Sequence, residues 1–127
     1  MAPIHNARAI DTGHPSGASG MISIRPMEDR DIKAARDLVA QLGYPMEEAD
    51  FRRRYAAVAG ADSHALMIAE DQGRVAALCH VFLRAALDKP PEAVVQALVV
   101  DEARRGRSIG AAMMARAEEW AARKGLR

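Results

Sequence analysis

Two spacings of apolar residues alternate along the chain from residue 22 onward. In residues 29–42, Ile32, Ala35, Leu38, Val39 and Leu42 recur at helical spacing; acids open the segment, and Gly43 and Pro45 close it. Residues 46–59 read as a second helix ended by Gly60, with Phe51 and Tyr55 facing inward and Arg52-Arg53-Arg54 on a solvated face. The spacing then becomes that of strands. Residues 64–70 and 75–87, joined by Asp71-Gln72-Gly73-Arg74, predict a hairpin. Asp88-Lys89-Pro90-Pro91 makes a loop before a fourth strand over residues 92–100, rich in β-branched side chains. Ile109, Ala112, Met113, Ala117, Trp120 and Ala121 return to helical spacing, up to a stop at Gly125. With Ile22-Ser23-Ile24-Arg25-Pro26 as the opening strand, the order is β-α-α-β-β-β-α. That is an α/β arrangement.

Residues 1–20 break the pattern. Pro3, Gly13, Pro15, Gly17 and Gly20 punctuate a stretch without periodicity, so it is expected to be a disordered extension before a domain spanning 21–127. The whole chain has 127 residues, half of them hydrophobic, enough for one core and too few for two domains. Aromatics make up only 4% of it, so that core is built from Ala, Val, Leu, Ile and Met. A net charge of +1 argues against a dedicated nucleic-acid binder. The lone Cys79 allows no internal disulfide and fits a reducing, cytoplasmic setting. Its apolar surroundings mark it as a core residue. His5, His14, His64 and His80 lack metal-ligand spacing; His80, on a central strand, is either a structural residue or faces an acceptor site. No segment reaches the roughly 18 apolar residues of a membrane helix, and no signal-peptide core is present.

The chemistry concentrates in Arg104-Arg105-Gly106-Arg107-Ser108-Ile109-Gly110, between the fourth strand and the last helix. A strand, a glycine turn and a helix N-terminus make an anion site: backbone N–H groups point outward, and the macrodipole favours negative charge. Three arginines add to it. The spacing is neither that of a P-loop nor G-x-G-x-x-G. It resembles the Arg/Gln-x-x-Gly-x-Gly/Ala signature of the GNAT superfamily of acyl-CoA-dependent N-acyltransferases. Arg105 takes the first position and Gly110 the last, with Ser108 in place of the middle glycine, where it can cap the helix. The opening strand and acidic-start helix are similar to that family's as well, and the resemblance, which runs from about residue 21 to the end, implies an α/β domain with a mixed sheet flanked by helices.

The resemblance implies acetyl-CoA as cosubstrate and a primary amine of a small molecule or peptide as acceptor, with no metal, nucleic acid or membrane. Arg105, Gly106, Arg107, Ser108, Ile109, Gly110 and Ala111 would hold the pyrophosphate, and the backbone of Leu98, Val99 and Val100 the pantetheine. An amine must shed a proton before attack, which calls for a carboxylate or a water chain ending in one. Glu92 and Gln96 are the candidates on the fourth strand, on one face but ~13 Å apart. Gln96 stands where relatives often carry glutamate, although an amide is no base. The family continues with a fifth strand, a further helix and usually two more strands beyond the point where this chain stops. The expectation is a domain truncated after the pyrophosphate helix, without the tyrosine acid, and with an uncovered fourth-strand edge that leaves it poorly soluble, marginally stable or paired edge to edge with a second copy as a homodimer. Two alternatives stay open: a non-catalytic acyl-CoA-binding or interaction module, and a fragment of a longer acetyltransferase.

Overall fold

The computed structural model describes residues 4–6, 9–10, 22–106 and 108–126. Strand β1 (Ile4–Asn6) and strand β2 (Ala9–Ile10) come first, followed by β3 (Ile22–Pro26). A 3-10 turn (Asp29–Asp31) leads into α1 (Ile32–Gln41), and α2 (Glu48–Val58) follows. Then come β4 (His64–Asp71), β5 (Arg74–Arg84), β6 (Glu92–Val100), a second 3-10 turn (Glu102–Arg104) and α3 (Ile109–Arg123). From residue 22 onward every expected element is present. Strands β3, β4, β5 and β6 form an antiparallel sheet in that order.

The sheet carries a helix layer on each face. On one face Ala69, Cys79, Val81, Val95, Leu98 and Val100 pack under Ile109, Met113, Ala117 and Ala121 of α3. On the other, Ile68, Leu78 and Val99 meet Ile32, Ala35 and Leu38 of α1 and Phe51 of α2. Small side chains under α3, alanine above all, let that helix sit close to the sheet. The β4–β5 hairpin turns through Gln72 and Gly73, both at positive φ (53° and 80°), the pair of left-handed residues that a tight two-residue turn needs. Strand β5 ends at Arg84 rather than residue 87, because its partner β6 begins at Glu92, immediately after Pro90 and Pro91.

Two findings correct the expectations. Five residues of the stretch expected to be disordered are strand: Ile4–Asn6 pairs in parallel with residues 93–95, and Ala9–Ile10 with residues 98–99. The outer edge of β6 is therefore covered along much of its length, not left open for a second copy. The physical reason is the one that made an open edge unfavourable: unpaired backbone N–H and C=O groups beside apolar side chains recruit any available strand. The parallel pairing also makes the sheet mixed, as its class required.

A local clamp ties α1 to the sheet. Arg25 on β3 donates to both carboxylate oxygens of Asp31 (2.7 and 2.8 Å) and to Glu70 on β4 (2.7 Å). Asp31 also accepts the Glu28 backbone N–H at 2.7 Å. Burial alone would raise its pKa, but Arg25 and that N–H outweigh it and hold the carboxyl below its ordinary value.

Candidate functional site

The site is organised by an irregularity in β6. Pairing with β5 runs Val99 to Leu78, Leu98 to Cys79 and Ala97 to His80, then resumes at Val95 to Val81. Gln96 is thus the extra residue of a β-bulge. The bulge flips the alternation, so Ala93 and Val95 face α3 together with Leu98 and Val100, while Ala97 and Val99 face α1. Nothing in Val94-Val95-Gln96-Ala97-Leu98-Val99-Val100 announces this, because a run apolar on both faces hides its own parity.

A cavity of about 530 Å³ opens beside the bulge. Met27, Val39, Met46, Phe51, Leu66 and Leu78 give it apolar walls. Its polar groups are Tyr44, Arg54, Tyr55, His80 and Gln96. The arginine run therefore divides: Arg52 pairs with Glu48 and Arg53 with Asp50 on the surface, whereas Arg54, also exposed, lines the cavity. A second cavity of about 460 Å³ adjoins it across Met27, Tyr55, Val58 and Leu66, and is bordered by Arg116, Arg123, Lys124, Asp62 and His64.

His64 and His80 join these two spaces. Nδ1 of His64 lies 2.9 Å from Nε2 of His80, and Phe82 stacks on the His64 ring. Burial, with His64 beside it, pushes the His80 pKa down to about 4. Sequence reasoning left His80 between two roles and gave His64 none. Their pairing depends on the β4–β5 register, which sets His80 opposite Leu66 and His64 opposite Phe82.

Of the two residues proposed for proton transfer, Gln96 lies on the cavity and Glu92 on neither cavity. Glu92 starts β6, where Arg84 donates to its Oε2 at 2.6 Å and Lys89 lies 3.5 Å from Oε1. Cys79 is fully buried, and burial pushes its thiol up to about 12, so it offers no nucleophile.

Beyond β6 the chain makes the expected turn. Leu98, Val99 and Val100 have buried side chains, which leaves backbone as their only contribution at the strand edge. Arg105 Nε donates to the Val100 carbonyl at 3.0 Å, fixing the turn to the strand end. Gly106 is left-handed (φ 89°), and open space lies where a Cβ would project. Ser108, the N-cap of α3, is left-handed as well (φ 63°). That corrects one expectation. The Ser108 side chain makes no cap hydrogen bond, because a left-handed N-cap does not aim its hydroxyl at the first-turn N–H groups. No acid occupies the first turn of α3, and Ile109 and Gly110 are buried there, with Ala111 exposed. Arg107 lies outside the described residues.

Arg104 does not add free charge. Its Nη1 donates to Asp101 at 2.7 Å, and its Nε lies 3.3 Å from Asp71. Gln41 at the end of α1 braces the same turn: it donates to Asp101 at 3.2 Å and accepts the Glu102 N–H at 3.0 Å. Neither contact has a local sequence signal, since the partners lie 60 and 61 residues apart. Among the described residues no group of three His, Cys, Asp or Glu could hold a metal ion, and no helix is long and apolar enough to cross a membrane.

Comparison with known proteins identifies the arrangement. The profile of the Acetyltransferase (GNAT) family matches residues 20–127. No curated protein matches. Solved structures that share the fold include a GNAT family acetyltransferase of Staphylococcus aureus (22% identity, TM-score 0.73, 84% of this chain and 82% of that one). Glucosamine-6-phosphate N-acetyltransferase of Arabidopsis thaliana has 21% identity and a TM-score of 0.74, over 83% of this chain and 77% of that one. An aminoglycoside N-acetyltransferase in complex with CoA has 22% identity and a TM-score of 0.75, over 90% of this chain and 76% of that one.

Proposed function

The chain belongs to the GNAT acetyltransferase family, and from that premise we propose that it transfers an acetyl group from acetyl-CoA to a primary amine of a small molecule or peptide. The observation that carries this reading is the bulge at Gln96, set between an acceptor-sized cavity and the turn into α3. The residues fit acetyl-CoA. Left-handed Gly106 and Ser108 curl the backbone around the start of α3, where the macrodipole favours the pyrophosphate and no acidic side chain opposes it. Arg105, Gly106, Ser108, Ile109, Gly110 and Ala111 form that cradle, with Arg107 assigned to it by its place in the sequence alone, and the Leu98–Val100 backbone pairs with the pantetheine arm once Ala9–Ile10 leaves that edge. Acetyl-CoA supplies the thioester that is cleaved.

The bulge takes a backbone N–H off the regular ladder next to the cavity, where it steadies negative charge building on the carbonyl oxygen. A volume of about 530 Å³ suits a small-molecule or side-chain amine with an apolar body. Gln96 orients that amine by hydrogen bonding. Glu92, held by two cations, keeps the strand entry closed instead of taking the proton. The lone buried Cys79 fits a reducing cytosol.

Gly110→Glu tests the reading. It puts a carboxylate where the pyrophosphate docks, and calorimetry is expected to show CoA affinity falling on the order of 100-fold or more. Ser108→Glu repeats the test at a half-buried position should Gly110→Glu lower the melting temperature. Equal CoA affinity in wild type and variants would overturn the assignment.

A further inference from the structure

We propose that His80 is the catalytic base of this site and that His64 relays its proton to solvent. The inference rests on the acetyl-transfer reading and adds to it the group that Gln96 and Glu92 do not supply. His80 pairs with Ala97, next to the bulged Gln96, so its Cα stands about 5 Å from the strand on which the thioester carbonyl is placed. Its ring lines the acceptor cavity. One ring nitrogen, Nε2, is taken by His64 at 2.9 Å. The other, Nδ1, has no hydrogen-bond partner among the described residues. It is not sealed in either, since Arg104 Nε is the one fully buried unpartnered side-chain atom there. His64 in turn borders the neighbouring, charged cavity.

The proton path follows from these contacts. An ammonium acceptor passes one proton to His80 Nδ1. His80 passes its Nε2 proton to His64 Nδ1, and His64 releases its Nε2 proton to water. Both imidazoles end neutral, in the opposite tautomer. The freed amine lone pair then forms the C–N bond to the thioester carbonyl carbon. The C–S bond breaks with its electron pair on sulfur, and the second amine proton goes to that thiolate. The surroundings favour such a neutral relay. Arg54 faces the His80 side, and Arg25, Arg116, Arg123 and Lys124 outweigh Asp62 on the His64 side, with Tyr44 and Tyr55 the remaining titratable groups. Burial and mutual repulsion also hold His80 uncharged.

Thiol release from acetyl-CoA, with a panel of alkylamines, arylalkylamines, amino sugars and peptides, tests this directly. His80→Ala is expected to lower kcat about 100-fold while leaving CoA affinity unchanged, and added imidazole to restore part of the rate. His80→Asn gives the same reading if the alanine variant fails to fold. His64→Phe keeps the ring on Phe82 and is expected to lower kcat by a smaller factor. Variants as fast as wild type, or a loss that imidazole does not touch, would overturn the relay alone. A wild type that binds CoA but acetylates no amine would overturn the acetyl-transfer reading and the relay with it.

Discussion

Asp31 and His80 shape the acid side of the stability curve, in adjoining pH windows. His80 has its pKa lowered from 6.5 to about 4, so the unfolded chain takes up a proton that the folded one refuses. Its contribution is complete above pH 6.5 and is lost as pH falls toward 4. Asp31 has its pKa lowered from 3.8, so its contribution is complete above that value and is lost further down, as Arg25 loses its carboxylate partner. Asp31→Asn is expected to cost about 2 kcal/mol at neutral pH and to flatten the loss of stability below pH 3.8. Urea unfolding across pH checks both. An unchanged acid limb would show that the Arg25 clamp contributes nothing. Single residues were the least legible part of the sequence. Asp31 reads as an ordinary acid at a helix start until β3 pairs with β4 and brings up Arg25 and Glu70. Arg104 reads as anion-binding charge until Asp71 and Asp101 close on it.

Elements were far more legible, because amphipathic periodicity is a local property and the core simply uses it. The faces of α1 and α3 are those that their apolar spacing implied: Ile32, Ala35 and Leu38 in one layer, Met113, Ala117 and Ala121 in the other. The inward pair on α2 also holds, with Phe51 buried and Tyr55 half-buried. What escaped was irregularity within elements. The first turn of the expected helix is 3-10, where Asp31 reaches back to the Glu28 N–H. The bulge at Gln96 escaped for a different reason. Bulges show as a break in alternation, and β6 has helices on both sides and so no polar face to betray one. The strand was therefore recognised, but not the bulge within it.

At the scale of the whole molecule, the long-range partner of β6 was the hardest to foresee, since β2 lies almost 90 residues before it and is only two residues long. Its position has a consequence for binding. A strand edge has one set of N–H and C=O groups, and the pairing of Ala9–Ile10 with residues 98–99 uses those that the reading gives to pantetheine. Deleting residues 1–20 is therefore expected to tighten CoA binding, on the order of tenfold, as measured by calorimetry. Weaker binding would show instead that the segment forms part of the cleft wall. The central claim is that the β6–α3 turn is a CoA site, and amide NMR of the 127-residue chain titrated with CoA tests it most directly. The account expects the largest shifts at residues 105–111 and 98–100, with α2 and β3 nearly unmoved. Shifts confined to other residues, or none at saturating CoA, would contradict it.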